Sequence, residues 1–460
     1  MVFSSIVFLF YFLAPVLLAH LYAPKRVKNI VLLIASLIFY SWGEPKYVLV
    51  MIFSILFNYG CGLWIDSTQH RKAALAANVI VNIGILVYFK YTGFIVSWVS
   101  AFLPDVAPVF NIALPVGISF YTFQALSYTI DVYRKNTEVQ KNPVSFGLYL
   151  SMFPQLIAGP IVKYSDVALQ LKDRSLTSSG FMEGFVRFSC GLCKKVIIAN
   201  NVGRLFDMVT SMDITGISMG LAWLGIFAYS MQIYFDFSGY SDMAIGLGRM
   251  FGFQFPENFR YPYVSKSITE FWRRWHITLG SWFREYVYIP LGGSRVRPVR
   301  AYFNIFVVWM LTGLWHGASW NFVMWGLYFA VLLIVEKRFL GKLLAKTGFF
   351  ANIYAMLMVT LGWVLFSLDN TADIFSYLKA MFNFGYIGIT ENNFLYNLTS
   401  YGGVLFIAAI AAIGIPKRLY DRFVPKRFGW VGYILAACGF VICAAYLADE
   451  SFNPFLYFRF

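Results

Sequence analysis

Charged residues are scarce in this chain. Only 13% of its 460 residues are Asp, Glu, Lys or Arg, whereas 59% are hydrophobic and 20% are aromatic. Soluble domains carry about 25% charged residues, so an ordinary water-soluble protein is excluded. Apolar stretches recur from Val2 to Tyr446, and no hydrophilic block between them is long enough to fold alone. The composition therefore predicts one integral membrane domain that covers residues 1–460.

Cysteine is also sparse. The five cysteines are an odd number in apolar surroundings, so a framework of structural disulfides is not expected. Cys190 and Cys193 form a C-x-x-C pair, but no second pair or nearby His accompanies them. This isolation favours two small residues on one helix face over a metal site.

The chain also lacks a continuous basic stripe, although its formal net charge is +15. Its basic residues occur in short clusters between apolar stretches, a pattern typical of cytoplasmic loops and not of nucleic-acid binding. The first cluster consists of Lys25, Arg26 and Lys28. The densest cluster consists of Lys417, Arg418, Arg422, Lys426 and Arg427. Their positions predict that the N-terminus and the C-terminus both lie outside the cytoplasm.

Apolar stretches of about 20 residues can cross a bilayer as helices. The candidate spans are residues 2–21, 28–42, 46–65, 73–90, 217–236, 301–316, 318–335, 350–367, 403–415 and 428–448. Three further stretches, 94–103, 110–130 and 145–162, are interrupted by Pro or polar residues, and a fourth, 182–206, is strongly amphipathic. We predict an all-α bundle of 10 to 12 transmembrane helices. The first stretch lacks a basic leader and a cleavage site, so it is predicted to be a span and not a signal peptide.

The segment from Asp236 to Arg300 mixes aromatic residues with many charges, prolines and glycines. A charge exposed at bilayer depth costs at least about 2.5–3.5 kcal/mol. Irregular backbone at that depth is tolerated only where protein or water surrounds it. We therefore predict short re-entrant or interfacial helices in this segment, folded into the protein.

The four histidines differ in their surroundings. His20 and His70 flank apolar stretches and are expected to have interfacial roles. His316 lies in an apolar stretch, residues 310–321, beside glycines and small residues that leave room for a ligand. Burial favours neutral imidazole, which can accept a proton from an attacking hydroxyl. His316 is thus a candidate general base, and the alternative is a packed His that donates to a backbone carbonyl.

The sequence around His276 is unusually rich in cations. On a helix, Glu270 would neighbour Arg273 and Arg274, so one salt bridge would leave one cation and the imidazole available. These groups could simply anchor a re-entrant helix. The functional alternative is a second active-site His, with a guanidinium site for donor phosphates.

Eight motifs carry a family resemblance. They begin at Pro115, Asp131, Phe153, Tyr234, Phe255, Phe271, Tyr288 and Leu314, and they read PVGISFYTFQ, DVYR, FPQLIAGP, YFDFSGYSD, FPENF, FWRRWH, YIPLGG and LWHG. In these motifs the chain resembles the alginate O-acetylation and D-alanyl transfer branch of the bacterial membrane-bound O-acyltransferase family. The resemblance implies helices around a central funnel and tunnel. It places spans in 1–110, a catalytic core in 111–335, and further spans and a tail in 336–460.

The resemblance also implies site residues and chemistry. The implied residues are His316 and His276 for catalysis, Arg273 and Arg274 for the donor, and Trp315, Asn321, Asp236 and Gln232 along the tunnel. The implied donor is acetyl-CoA or another acyl thioester, without a permanently bound cofactor or a metal. The implied partners are membrane lipid and a secreted polysaccharide acceptor or an extracytoplasmic SGNH-type acetyltransferase. The expected location is the bacterial inner membrane.

Other functions remain open at this stage. Within the family, the acceptor could be teichoic acid or peptidoglycan, with an acyl or D-alanyl group transferred. From another class, a lipid or polysaccharide transporter or flippase would also place charged, broken helices at membrane depth. Transporters of that kind often show inverted repeats, and none is evident here. The proximity of the two His motifs in the sequence favours an enzyme.

The C-terminal residues Asn453–Phe460 form an aromatic tail after the last predicted span. Aromatic and basic residues commonly anchor a span at the headgroup level. However, polar residues separate this tail from the span, and Pro454 ends any helix. The two interpretations are an interfacial belt and a tail that folds back into the funnel.

Overall fold

The computed structural model describes residues 1–102, 112–384, 392–425, 429–449 and 456. Within these ranges the regular structure is helical and no strand occurs, so the predicted all-α class is confirmed. The chain comprises two compact units, Met1–Ser189 with Tyr240–Glu257, and Cys190–Gly239 with Asn258–Phe460. That residues 1–460 form a single membrane domain stays a prediction.

The described residues of the first unit form eight consecutive helices. The unit also includes parts of α9 (Ser178–Cys193) and α11 (Met219–Met250). The eight are α1 (Ala14–Tyr22), α2 (Lys28–Gly43), α3 (Val48–Ser67), α4 (Arg71–Phe102), α5 (Ile118–Arg134), α6 (Pro143–Ser151), α7 (Phe153–Leu156) and α8 (Tyr164–Lys172). A π-helical segment, Val7–Leu13, precedes α1.

Polar side chains lie inside the first unit, and large apolar ones point outwards. Asn78 Nδ2 donates to Asn58 Oδ1 over 2.8 Å, and Asn58 Nδ2 donates to Asn82 Oδ1 over 3.1 Å. All three residues are buried, whereas Leu49 and Leu56 of α3 are exposed. A bilayer requires this arrangement, because lipid can solvate leucine but cannot satisfy an amide.

Five helices of the described residues are long and apolar enough to span a membrane, and two apolar segments, Val7–Tyr22 and Lys28–Gly43, are shorter. All ten predicted spans coincide with helices. The stretches 73–90 and 94–103, which were predicted separately, belong to one helix, because α4 continues without interruption to Phe102. Within this helix Thr92 Oγ1 donates to the Tyr88 carbonyl, so the polar hydroxyl has a partner inside α4. The start of the stretch 110–130 lies outside the described residues.

The second unit contains the other helices. They are α10 (Asn200–Ser211), α12 (Ile268–Arg274), α13 (Ile277–Phe283), α14 (Pro298–His316), α15 (Trp320–Val335), α16 (Gly341–Leu344), α17 (Phe349–Ser367), α18 (Thr371–Met381), α19 (Asn392–Ala412), α20 (Ile415–Phe423) and α21 (Trp430–Asp449). Three π-helical segments, Lys194–Ala199, Arg284–Tyr288 and Glu336–Leu340, follow α9, α13 and α15.

The predicted irregular segment starts later than expected. Residues 236–250 belong to α11, so the prediction of short helices there is wrong. Helix α11 packs closely at Gly239, where an added Cβ would lie 2.8 Å from the Gly191 carbonyl oxygen. We attribute the continuity of α11 through this glycine to that close packing. Beyond Met250 the helices are short, as predicted: α12 and α13 have seven residues each and are separated by residues 275 and 276. Their re-entrant or interfacial position stays a prediction.

Candidate active site

Close packing of α14 against α15 places His316. At Gly326 an added Cβ would lie only 2.6 Å from the Trp309 carbonyl, so glycine is what allows the two helices to approach. His316 is the last residue of α14 and is 6% exposed. Its ring centroid lies 5.1 Å from that of Trp325, 5.1 Å from that of Phe366 and 5.0 Å from that of Trp315. The imidazole is therefore held in an aromatic enclosure.

A small cavity adjoins the His316 ring. Its volume is about 20 Å³, close to the space that one water molecule needs. The cavity is lined by Ile233, Asp236, Phe237, Trp275, His316, Trp325, Trp363, Phe366 and Leu456. Because most of these side chains are large and apolar, only a small group fits beside the imidazole.

Asp236 is the acidic residue in this cavity wall. Its Oδ1 lies 2.6 Å from Lys195 Nζ, and both side chains are only 3% exposed. Its Oδ2 accepts a hydrogen bond from the backbone N–H of Leu456 over 2.9 Å. Sequence reasoning identified Asp236 but missed Lys195. A lysine within the predicted amphipathic stretch 182–206 was the available signal, since charges at membrane depth require partners.

The contact at Leu456 bears on the tail. Leu456 is 9% exposed and borders the His316 cavity. The hydrogen bond from the Leu456 N–H to Asp236 is a contact that the fold-back interpretation predicts for this residue. The rest of Asn453–Phe460 lies outside the described residues.

His276 lies between α12 and α13 and is 3% exposed. Its ring centroid is 4.7 Å from that of Phe237 and 6.0 Å from that of Trp315. Trp315 therefore contacts both imidazoles, since its ring is 5.0 Å from that of His316. The structure thus brings the two predicted histidines to the same aromatic cluster.

Helix α12 carries the two predicted donor-site arginines, which behave differently. Arg274 Nη2 lies 2.9 Å from Glu270 Oε1, and its Nη1 donates to the Arg260 carbonyl. Arg273 instead lines a cavity of about 780 Å³. The predicted salt bridge of Glu270 with one of the two arginines is confirmed, whereas the imidazole of His276, predicted to be available, contacts Asn258 Oδ1 through Nδ1. The same cavity is bordered by the cationic residues Lys266 and Lys337.

Glu336 fixes the start of α12 and was missed by sequence reasoning. Its carboxylate accepts from the backbone N–H of Ile268 over 2.6 Å and from that of Thr269 over 2.9 Å. Thr269 Oγ1 also donates to it, over 2.8 Å. A carboxylate at a helix N-terminus is favourable because the first N–H groups have no partner within the helix. Glu336 therefore sets the position of Arg273.

The remaining predicted residues lie apart from the His316 cavity. Gln232 is buried one turn before Asp236 on α11, where its side chain fills the space that Gly203 leaves open. Asn321 is buried in the first turn of α15 and accepts a hydrogen bond from Ser319 Oγ. Neither residue lines that cavity.

The other two histidines belong to the first unit. His20 is fully buried, with Nε2 3.2 Å from Arg174 Nη2, and His70 is exposed next to the start of α4.

The two cavities lie along α14. Trp309 borders the large cavity and His316 the small one. Seven helical residues separate them, which corresponds to about 10 Å at 1.5 Å per residue. The rings of Trp309 and Trp325, 5.8 Å apart, lie between the two. The wall of the large cavity therefore comes within about two helical turns of the His316 imidazole.

Comparisons with known proteins identify the relatives of this chain. Residues 34–372 match the model of MBOAT, the membrane-bound O-acyltransferase family. The chain is 38% identical to the probable alginate O-acetylase AlgI of Azotobacter vinelandii, over the full length of both proteins. It is 32% identical to the peptidoglycan O-acetyltransferase of Helicobacter pylori, covering 100% of this chain and 98% of the relative. It is 31% identical to the teichoic acid D-alanyltransferase of Bacillus subtilis, covering 50% and 61%.

The chain therefore belongs to the membrane-bound O-acyltransferase family. It is a multi-pass membrane acyltransferase, as the motifs predicted.

Proposed function

We propose that this enzyme transfers an acetyl group from acetyl-CoA, on the cytoplasmic side, towards a hydroxyl of a secreted alginate-like polysaccharide. His316 accepts the proton of the attacking hydroxyl, whose oxygen forms a bond to the thioester carbonyl carbon. The carbon–sulfur bond then breaks, and the leaving thiolate takes up the proton. This cycle leaves the enzyme unchanged and requires neither a metal nor a redox partner.

The observation that carries the proposal is the position of His316. Its ring borders a cavity of about 20 Å³, and a second cavity of about 780 Å³ begins roughly two helical turns away along α14. Aromatic rings close the narrow cavity on several sides, so a short acyl group needs the least movement of its walls. A long acyl chain would require these rings to move.

The large cavity supports the choice of a phosphate-bearing donor. Arg273, Lys266 and Lys337 supply three cations to its wall. The carboxylates in the same wall are already engaged, because Glu270 pairs with Arg274 and Glu336 accepts the N–H groups of α12. Phosphate groups are recognised well by guanidinium and ammonium groups.

The acceptor and the topology extend the proposal. The relatives that cover the whole chain act, by name, on alginate and on peptidoglycan. We infer that the acetyl group passes outside the cell membrane to an SGNH-type acetyltransferase, which hands it to the polysaccharide. In this scheme the protein lies in the bacterial inner membrane with both termini outside, as the basic clusters predict.

The test uses a bacterium that secretes alginate and lacks its own membrane acetylase. Expression of this chain should restore acetyl esters on the secreted polymer, whereas His316→Gln should restore none at an equal protein level in the membrane. His70→Gln, an exposed histidine in the first unit, is the matched control and should behave like the natural chain. Acetylation by the His316 variant at more than a few per cent of the control would overturn its assignment as the base.

The donor is tested separately in membrane vesicles. Radiolabelled acetyl-CoA should give hydroxylamine-labile label on the acceptor fraction, and a D-alanyl carrier protein should give none. Transfer only from the D-alanyl donor would replace the proposed donor but leave the role of His316 intact.

A further inference from the structure

The side chain of Asn258 contacts the second histidine. Asn258 is fully buried, and its Oδ1 lies 3.1 Å from His276 Nδ1. The same oxygen is 3.2 Å from the backbone nitrogen of Thr278 and 2.9 Å from Thr278 Oγ1. One carboxamide oxygen thus faces three polar groups from the start of α13.

The Thr278 backbone identifies the atom that faces it. A backbone N–H can only donate, so the Asn258 atom at this position must be the oxygen and not the amide nitrogen. A carboxamide oxygen can only accept. A proton must therefore lie on His276 Nδ1, because an unprotonated nitrogen would oppose its lone pair to those of the oxygen. In neutral imidazole, Nε2 is then the proton acceptor.

The backbone reinforces this arrangement. His276 has φ +43°, a left-handed conformation that residues other than glycine adopt at a cost. The Ile277 N–H donates to the Asn258 carbonyl over 3.0 Å, and the Arg260 N–H donates to the Arg274 carbonyl over 2.9 Å. These bonds on either side of His276 hold the unusual conformation and fix the direction of its ring.

We propose that Asn258 is a positioning residue that holds His276 in the Nδ1–H tautomer, so that Nε2 serves as a proton or hydrogen-bond acceptor. The consequence for acyl transfer rests on the proposed function. With Nδ1 bound to Asn258, neutral His276 cannot donate through Nε2. As an acceptor, His276 can orient a hydrogen-bond donor near the site, but it cannot stabilise the thioester oxyanion by donating through Nε2.

The tautomer can be measured without an activity assay. Nitrogen-15 histidine is incorporated into the full chain in lipid bilayers, and the His276 signals are assigned by their loss in His276→Asn. The natural chain should show protonated Nδ1 and unprotonated Nε2. Asn258→Leu, which removes the acceptor, should shift His276 to the Nε2–H tautomer or to a mixture. A natural chain with protonated Nε2 would overturn the proposal, even if the Asn258→Leu variant failed to fold.

Kinetics then test the functional consequence. Asn258→Leu should lower kcat by about 10- to 100-fold, which is at most the lower limit of the roughly 10²–10⁴-fold that general acid–base catalysis supplies. The KM for acetyl-CoA should stay within about twofold, because no donor contact changes. Asn258→Asp keeps the acceptor oxygen and should rescue most of kcat. Thr278→Val removes a neighbouring bond but not the His276 contact, so it should leave kcat near that of the natural chain.

The positioning role of Asn258 and the role of His276 in acyl transfer can fail separately. A loss of kcat in Asn258→Leu without a change of tautomer would overturn the positioning role. A change of tautomer without a loss of kcat would support the Asn258 assignment and remove His276 from the proposed reaction.

Discussion

Replacing Lys195 with Met should destabilise the protein strongly. Lys195 and Asp236 form an ion pair of 2.6 Å, and each side chain is 3% exposed. Removing one partner of a buried pair leaves the other charge uncompensated, which costs about 3–5 kcal/mol. Unfolding entropy is about 2.1 cal/mol/K per residue, or roughly 1 kcal/mol/K for a chain of 460 residues. The loss should therefore lower Tm by about 3–5 °C.

The double variant Lys195→Met with Asp236→Leu separates charge from packing. Two apolar side chains of similar volume often replace a buried pair without loss of stability. The double variant should therefore recover Tm, measured as the loss of monodisperse protein in detergent after heating. Acyl transfer should not recover, because Asp236 borders the His316 cavity and holds Leu456. A single variant as stable as the natural chain, or a double variant no better than the single one, would refute this reasoning.

Two further changes test the donor side and the tail. Arg273→Ala should raise the KM for acetyl-CoA several-fold in steady-state assays. Arg274→Ala should change this KM less, because Arg274 is paired with Glu270. Equal KM values in Arg273→Ala and the natural chain would exclude a phosphate contact of Arg273. Deleting residues 455–460 should abolish acyl transfer in a stably inserted protein, because the Leu456 N–H reaches Asp236; full activity would favour the interfacial belt.

Local patterns account for the part of the structure that the sequence predicts well. Apolar stretches locate the helices because the bilayer sets both their length and their composition. The Glu270–Arg274 pair follows from helical spacing alone. His316 could be selected because an imidazole between glycines in an apolar stretch is unusual. Each of these inferences uses residues within a few positions of one another.

Distant contacts account for most of what the sequence did not reveal. Glu336 and Ile268 are 68 residues apart in the chain, and only the fold brings the carboxylate to the start of α12. Lys195 and Asp236 are likewise far apart in the chain, and the fold brings them together. The continuity of α11 was missed for another reason. Glycine and serine lower helix propensity locally, but close packing at Gly239 overrides that preference.

The charged residues of the second unit bear on the proposed donor site. Lys195 and Asp236 neutralise each other, and Glu336 is satisfied by the first N–H groups of α12. These groups therefore gain little from a ligand. Arg273 differs, because it faces a cavity of about 780 Å³ whose nearby carboxylates already have partners. A cation in such a wall is best stabilised by an anion that enters from outside, and a phosphate-bearing donor supplies one. This charge pattern supports the proposed binding of the donor in the large cavity, with its acyl group directed towards the narrow cavity beside His316.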